Sequence, residues 1–83
     1  MKQVSLYTSD HCPYCRNAKA LLERKGVKAI EYNVASDPQL LREMLARTGR
    51  RTVPQIYIGE HHVGGFDDLA ALEHKSELDA LLH

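Results

Sequence analysis

The sequence predicts an α/β fold in which helices flank a small four-stranded mixed sheet. Short segments of alternating apolar and polar side chains are separated by longer segments whose apolar residues recur at helical spacing, in the order βαβαββα(α). The 83 residues contain no tandem repeat and no long Gly-, Ser- or Pro-rich stretch. We therefore expect residues 1–83 to form a single domain with one modest core and a surface groove as its site.

The first half of the chain predicts a strand, a helix and a second strand. Residues 4–7 alternate between apolar and polar side chains, and polar turn residues follow them. A helix is expected from about residue 13 to residue 25, because Pro13 suits a first helical turn and Gly26 is a natural stop. Residues 28–34 alternate again and predict the second strand.

A second helix and a third strand follow. Ser36 or Asp37 can cap the helix, Pro38 suits its first turn, and Gly49 ends it. Leucine and methionine side chains between these signals form one apolar stripe, which is most simply a buried face. The segment 53–59 is rich in β-branched and aromatic residues and predicts the third strand.

The rest of the sequence predicts a short fourth strand and two short helices. Residues 61–64 follow a Gly-Glu turn and complete a hairpin with the third strand. Helices are expected over residues 69–74 and 78–82, the second with a capping box formed by Ser76 and Asp79. A parallel βαβ unit followed by such a hairpin has the architecture of the thioredoxin-like fold.

Composition excludes several classes of partner. Eleven basic side chains balance eleven acidic ones, so neither nucleic acid nor an anionic membrane surface is an expected partner. The opening "MKQVSLYT" lacks the apolar run of a signal peptide, and no segment approaches the roughly 20 apolar residues of a membrane span. The expected location is the cytoplasm. Thiols are kept reduced there, so a cysteine pair is more often redox-active or metal-binding than a permanent disulfide.

The two cysteines of the chain, Cys12 and Cys15, stand at the start of the first predicted helix. Residues i and i+3 share a helix face, so the two sulfurs can form a disulfide while the backbone stays helical. At a helix start, unpaired N–H groups and the positive end of the dipole favour the thiolate of Cys12. We expect Cys12 to be the nucleophile and Cys15 the resolving thiol, with Pro13 stiffening the turn.

A zinc site is the alternative use of these thiols. Cys12 and Cys15 have ligand-like spacing, and His11, His61 and His62 could complete a tetrahedral set. However, His61 and His62 are adjacent in a strand or tight turn, so their side chains should point to opposite faces and at most one could join. A second C-x-x-C is absent. The sequence therefore favours redox chemistry and predicts no metal ligands.

Three segments carry a family resemblance that covers nearly the whole chain. "CPYC" after "LYTSDH", "TVPQIYIG" at residues 52–59 and "GGFDDL" at residues 64–69 resemble a bacterial dithiol glutaredoxin. The resemblance implies a glutathione-dependent oxidoreductase that reduces glutathione mixed disulfides and disulfide-containing proteins. It further implies glutathione as co-substrate, no tightly bound cofactor, and a monomeric protein.

The resemblance also implies where glutathione binds. It implies that Pro54 is cis, and that Val53 offers its backbone N–H and C=O to the cysteinyl part of glutathione. The N-terminus of a helix beginning near Phe66 would bind the γ-glutamyl carboxylate, and Asp67 or Asp68 would pair with its ammonium group unless both only cap the helix. The implied set of glutathione-binding residues is Tyr14, Thr52, Val53, Pro54, Gly65, Phe66, Asp67 and Asp68.

Three positions depart from the family pattern. Ser9 stands where many relatives have a lysine that attracts the glycyl carboxylate of glutathione, Leu41 replaces a helix residue that is often polar, and Phe66 replaces a frequent cysteine. Arg42 or Arg51 is the expected source of the missing charge, although the loop that holds Arg51 is equally well explained as a solvated basic segment.

Two other functions remain as alternatives. A thioredoxin-type reductase would carry Gly-Pro between the cysteines and usually a tryptophan before them, whereas this chain has Pro-Tyr and no tryptophan. A glutathione-ligated iron-sulfur cluster carrier would use the nucleophilic cysteine of two subunits. Pro13 and the second cysteine make that use less favoured.

Overall fold

The computed structural model describes all 83 residues and has the predicted order of strands and helices. The elements are β1 (Val4–Thr8), α1 (Pro13–Arg24), β2 (Ile30–Asn33), α2 (Pro38–Thr48), β3 (Gln55–Ile58), β4 (His61–Gly64), α3 (Phe66–His74) and α4 (Leu78–Leu82). None of the helices has the length and apolar character needed to cross a membrane.

The four strands form one mixed sheet in the order β2-β1-β3-β4. β1 pairs in parallel with β2 and antiparallel with β3, and β3 pairs antiparallel with β4. The predicted βαβ unit and terminal hairpin are therefore confirmed. Because β3 runs against both of its neighbours, its first residue lies at the same end of the sheet as the last residues of β1 and β4. The start of α1, which holds both cysteines, meets the cis-proline segment and the start of α3 at this end.

The core lies on both faces of the sheet. On one face, Leu6 of β1 and Ile56 of β3 are fully buried against helix residues such as Leu22 and Leu69. On the other face, Tyr7 packs with Met44 of α2, since neighbouring residues of a strand point to opposite sides. Burial of each large apolar side chain contributes about 1.5–3 kcal/mol to stability.

The first two helices end where the sequence predicts. Cys12 is the N-cap of α1 and Pro13 begins its first turn. Asp37, rather than Ser36, caps α2: its carboxylate accepts a hydrogen bond of 2.9 Å from the N–H of Gln39. Gly49 ends α2 in the left-handed conformation, with φ of 70°. These signals act within one helical turn, which is why the sequence alone reveals them.

Strand and helix limits elsewhere differ from the prediction. β2 covers four residues and β3 begins after Pro54, which has no N–H for a ladder, and ends before the turn at Gly59. α3 begins at Phe66, three residues before the start that the apolar pattern predicted and where the family resemblance implied it.

The predicted capping box at the start of α4 is wrong. Glu77 is the N-cap and makes no side-chain capping bond. Ser76 adopts a left-handed φ of 60°, and its N–H donates to the carbonyl of Glu73 at 3.0 Å. The N–H of Glu77 likewise donates to the carbonyl of Leu72 at 2.8 Å. Both residues close the end of α3, so Ser76 does not serve as the cap of the next helix.

Candidate active site

The sulfur of Cys12 lies at the N-terminus of α1. Cys12 has extended backbone angles, and its Sγ accepts a hydrogen bond of 3.2 Å from the backbone N–H of Cys15. The same sulfur lies 4.0 Å from the carbonyl oxygen of Val53. An N–H donor and the positive end of the helix dipole both stabilise negative charge on the sulfur. The geometry suits a nucleophilic thiolate.

Cys15 occupies a different environment one turn into the helix. Its side chain is only 2% exposed, whereas Cys12 is partly exposed. Burial raises the pKa of the Cys15 thiol, and the hydrogen bond with Cys12 raises it further. Both cysteines are free thiols. Cys15 is therefore held as a protonated thiol beside the sulfur of Cys12, and it can attack a Cys12 mixed disulfide once it loses that proton.

Reduced protein is expected to react with iodoacetamide at Cys12 at least about tenfold faster than at Cys15 near neutral pH, because only the thiolate is nucleophilic. Peptide mapping of samples quenched at timed intervals measures the two rates. The Cys12→Ser variant supplies the rate of Cys15 alone as a control. Equal rates at the two positions would contradict the assignment of Cys12 as the activated thiol.

The segment before β3 presents unused backbone groups to the site. The Val53–Pro54 peptide bond is cis, as the resemblance implies. The N–H of Val53 donates to no group within the chain. The carbonyl oxygen of Val53 has only the distant Cys12 sulfur as a neighbouring donor. An extended peptide laid beside Val53 could therefore use both groups.

The start of α3 forms the opposite wall. Asp68 folds back so that its carboxylate accepts a hydrogen bond of 2.9 Å from the N–H of Gly65, and the guanidinium of Arg50 lies 3.8 Å from the same oxygen. Asp68 thus caps the helix, as the alternative role of the aspartates predicted. Asp67 is exposed and makes no such bond. The Asp68 carboxylate is therefore occupied by contacts within the chain, whereas the Asp67 carboxylate can interact with a ligand.

These walls enclose a shallow cleft of about 190 Å³. Its volume is below the range of about 300–1,000 Å³ that is common for buried ligand pockets, in line with the expected surface groove. The residues that line it are Tyr14, Arg50, Thr52, Val53, Pro54, Gln55, Gly65, Phe66, Asp67 and Asp68. All eight predicted groove residues are among them. The structure thus brings together positions that lie as far apart in the chain as residues 14 and 68.

Two aromatic rings lie close together among the residues that line the cleft. Tyr14 is 60% exposed, and its ring centroid lies 6.5 Å from that of Phe66 at an interplanar angle of 32°. Phe66 therefore replaces the frequent family cysteine with an apolar surface facing Tyr14.

The arginine that lines the cleft is not one of the two that the sequence indicated. Arg50 lines the cleft, whereas Arg42 lies at a separate depression on α2 and Arg51 does not line the cleft. Arg47 is not a freely solvated side chain, because its guanidinium donates to the Tyr7 hydroxyl at 2.8 Å and lies 3.9 Å from the ring centroid of Tyr57. The sequence had indicated Arg42 or Arg51 as the source of positive charge and had not indicated Arg50.

Gln55 is the other cleft residue that the sequence did not reveal. Its amide donates to the carbonyl oxygen of Thr52 at 3.0 Å and approaches the Thr52 hydroxyl at 3.3 Å. Its oxygen lies 2.7 Å from Nε2 of His62. The neighbouring His61 is exposed, and no three potential ligands from His, Cys, Asp and Glu cluster in the structure. Nε2 of His62, one of the ligands considered for a zinc site, is thus engaged in a hydrogen bond with Gln55.

The fold and the paired thiols together define the class of this protein. A nucleophilic cysteine at a helix N-cap, a resolving thiol one turn later and a facing cis-proline segment form the site of a thiol-disulfide oxidoreductase with a thioredoxin-like fold. The chain belongs to the glutaredoxin family, whose family model, described as "Glutaredoxin", matches residues 4–63.

Comparison with individual proteins agrees with this membership. The chain is 54% identical over 82 residues to a glutaredoxin of Pseudomonas aeruginosa, a match that covers 99% of this chain and 98% of that protein. It is 49% identical over 82 residues to glutaredoxin 3 of Escherichia coli K12, with 99% of each chain covered.

Solved structures confirm the predicted fold. The solution structure of a glutaredoxin from Brucella melitensis has a TM-score of 0.86 and 54% sequence identity, with 99% of this chain and 89% of that chain covered. The crystal structure of a buckwheat glutaredoxin-glutathione complex has a TM-score of 0.88 and 25% identity, with 98% and 76% covered. The thioredoxin-like architecture is therefore shared across a wide range of sequence identity.

Proposed function

We propose that this oxidoreductase binds glutathione in the cleft and reduces glutathione mixed disulfides and protein disulfides. The observation that carries the proposal is the unused backbone of Val53 beside the Cys12 sulfur, with the start of α3 across the cleft. The complex of the buckwheat relative with glutathione supports the same choice of ligand. Glutathione is a short extended peptide, which suits binding by strand-like hydrogen bonds.

Each part of glutathione has a matching group in the cleft. The cysteinyl residue would pair with the N–H and C=O of Val53, which leaves its sulfur next to Cys12. The γ-glutamyl carboxylate would accept hydrogen bonds from the first N–H groups of α3, which begins at Phe66. Asp67 is the better partner for the ammonium group, because Asp68 already caps Gly65 and faces Arg50. Thr52, Pro54 and Gly65 supply the remaining walls, with Tyr14 at the rim.

Arg50 supplies positive charge to a cleft that lacks the usual lysine. Ser9 offers no charge, and Leu41 packs against the core around Tyr7. Arg50 is the only cation among the cleft residues. It complements the net negative charge of glutathione in place of the expected Arg42 or Arg51.

The reaction proceeds by two thiol-disulfide exchanges. The Cys12 thiolate attacks the glutathione sulfur of a mixed disulfide, forms a Cys12-glutathione disulfide and releases the other thiolate. A second glutathione thiolate then regenerates Cys12 and yields glutathione disulfide. Alternatively, Cys15 loses its proton and attacks the sulfur of Cys12, which forms the Cys12–Cys15 disulfide and releases a glutathione thiolate that takes up a proton. Two further glutathione molecules then reduce the Cys12–Cys15 disulfide and leave as glutathione disulfide. With a protein disulfide, the same attack by Cys15 releases the reduced protein.

The electron donor tests this function. We expect rapid turnover of the mixed disulfide of glutathione and 2-mercaptoethanol when glutathione is recycled by glutathione reductase and NADPH. Thioredoxin reductase with NADPH should support little reduction of a protein disulfide. Equal activity with both donors, or activity with thioredoxin reductase alone, would instead indicate a thioredoxin-type reductase.

We further propose that the protein acts as a monomer in the cytoplasm, without a tightly bound cofactor and with glutathionylated or disulfide-containing proteins as partners. The partly exposed Cys12 and the surface position of the cleft support access for such proteins. The ultraviolet-visible spectrum of anaerobically purified protein should show no absorption from an iron-sulfur cluster. Visible absorption would support the cluster-carrier alternative.

A further inference from the structure

A buried amide lies behind the peptide-binding side of the cleft. Gln55 is 1% exposed, although glutamine is usually found at the surface. It is the first residue of β3 and follows the cis-proline directly. A buried amide costs free energy unless its donors and acceptor are paired, and no buried side-chain polar atom in this structure lacks a partner.

The orientation of this amide is fixed by its partners. The amide nitrogen donates to the carbonyl oxygen of Thr52 at 3.0 Å, so the amide oxygen must be the acceptor toward His62. Nε2 of His62 therefore carries a proton and donates over 2.7 Å. Burial, together with the charge of Arg50, lowers the pKa of His62 and favours the neutral ring.

The far end of this chain of contacts is anchored in the sheet. The His62 ring stacks on Tyr57 with a centroid distance of 4.8 Å and an interplanar angle of 22°. Tyr57 is 5% exposed, and the guanidinium of Arg47 lies 3.9 Å from its ring centroid. His62 belongs to β4 and Tyr57 to β3, which are paired in the sheet. The hydrogen bond from His62 in β4 therefore fixes the position of the Gln55 side chain in β3.

We infer that Gln55 and His62 are positioning residues that aim the backbone of Val53 at a bound peptide. This inference rests on the proposed binding of glutathione. Val53 is held between two neighbours, because Gln55 fixes the carbonyl of Thr52 on one side and Pro54 follows on the other. Neither the Gln55 amide nor the His62 ring forms a hydrogen bond with Cys12 or Cys15. They act through Thr52 and Val53, and they leave the attacking sulfur unchanged.

The experiment compares two disulfides with the fully reduced enzyme in a single turnover. Glutathione disulfide contains the peptide that Val53 would bind, whereas bis(2-hydroxyethyl) disulfide contains no peptide group. Gln55→Met keeps a side chain of similar length and removes the amide. His62→Phe keeps a ring that can stack on Tyr57 and removes the donor to Gln55. His61→Phe makes the same change at the neighbouring exposed position and is the matched control.

We expect Gln55→Met and His62→Phe to lower the second-order rate constant for glutathione disulfide by about 5- to 20-fold, the size of one or two net hydrogen bonds. The rate constant for bis(2-hydroxyethyl) disulfide and the rate of Cys12 alkylation should stay within about twofold of the unmodified protein. In steady-state assays, KM for the glutathione mixed disulfide should rise while kcat changes little. His61→Phe should leave all of these values unchanged.

Three outcomes would overturn the inference. An equal fall with both disulfides in the two variants would show a general structural role. Circular dichroism shows whether each variant is folded. If a folded variant had the same ratio of the two rate constants as the unmodified protein, the hydrogen bonds would not position Val53. An equal effect of His61→Phe would show a non-specific effect of the hairpin. The proposed function itself would fail separately, if the unmodified protein showed no preference for glutathione disulfide over bis(2-hydroxyethyl) disulfide.

Discussion

Replacing Cys12 by serine is expected to lower turnover of every disulfide substrate by at least about a thousandfold, because a neutral hydroxyl cannot replace the attacking thiolate. Every proposed route begins with attack by this sulfur, which accepts a hydrogen bond from the N–H of Cys15 at the start of α1. The glutathione-coupled assay and reduction of a protein disulfide both measure the loss. Retained activity with either substrate would overturn the mechanism.

Cys15→Ser separates the two routes by which the intermediate is resolved. External glutathione can still attack the Cys12-glutathione disulfide, so reduction of the small mixed disulfide should stay within about threefold of the unmodified protein. Reduction of a protein disulfide should fall by at least about 100-fold, because the intramolecular step and its high effective concentration are lost. Equal loss of the two activities would reject this division between the thiols.

The Cys15→Ser variant needs a stability control, because residue 15 is buried. A hydroxyl at a position that is 2% exposed costs about 1–3 kcal/mol if it finds no partner. Thermal unfolding of both cysteine variants, followed by circular dichroism, shows whether each is folded at the assay temperature. The ratio of the two activities within one variant does not depend on the folded fraction, so the ratio is the quantity to compare.

Gly64→Ala is expected to have the second large effect, a loss of about 2–4 kcal/mol in the free energy of unfolding. The φ of Gly64 is 113°, outside the range that residues with a Cβ adopt readily, which costs about 1–3 kcal/mol. A Cβ there would also overlap the Asp68 carboxylate, which would have to leave Gly65. Loss of such a cap costs about 1 kcal/mol. Denaturant unfolding measures the difference.

Gly49→Ala is the matched control for this prediction. Gly49 also has a positive φ, 70°, but no atom lies within 4 Å of the position its Cβ would take. Its substitution should show only the conformational cost, about 1 kcal/mol. Gly64→Ala should in addition raise KM for the glutathione mixed disulfide, because displaced Asp68 disturbs the start of α3. Equal destabilisation by the two substitutions would show that Asp68 moves away without cost.

Much of the fold was predictable because its signals are local. Pro13 and Gly49 mark helix ends within one turn, and alternation of apolar and polar residues marks the strands. The predicted capping box at Ser76 failed for a related reason. Serine three residues before an aspartate has the right pattern, but the end of α3 already uses the N–H groups of Ser76 and Glu77. A local sequence pattern does not show whether a residue between two helices ends the first helix or caps the second.

The sequence by itself determined the chemistry of the protein, because the nucleophile, its helix cap and the resolving thiol all lie between Cys12 and Cys15. The family resemblance further indicated eight positions, which the structure collects in one cleft. Only the tertiary structure decided that Arg50 and Gln55 belong to this cleft, that Arg47 lies on Tyr57, and that His62 donates to Gln55. The physical reason is that strand pairing joins residues distant in sequence. Antiparallel pairing of β3 with both neighbours brings the segment before β3 to the end of the sheet where Cys12 and the start of α3 lie, and no local pattern carries that information.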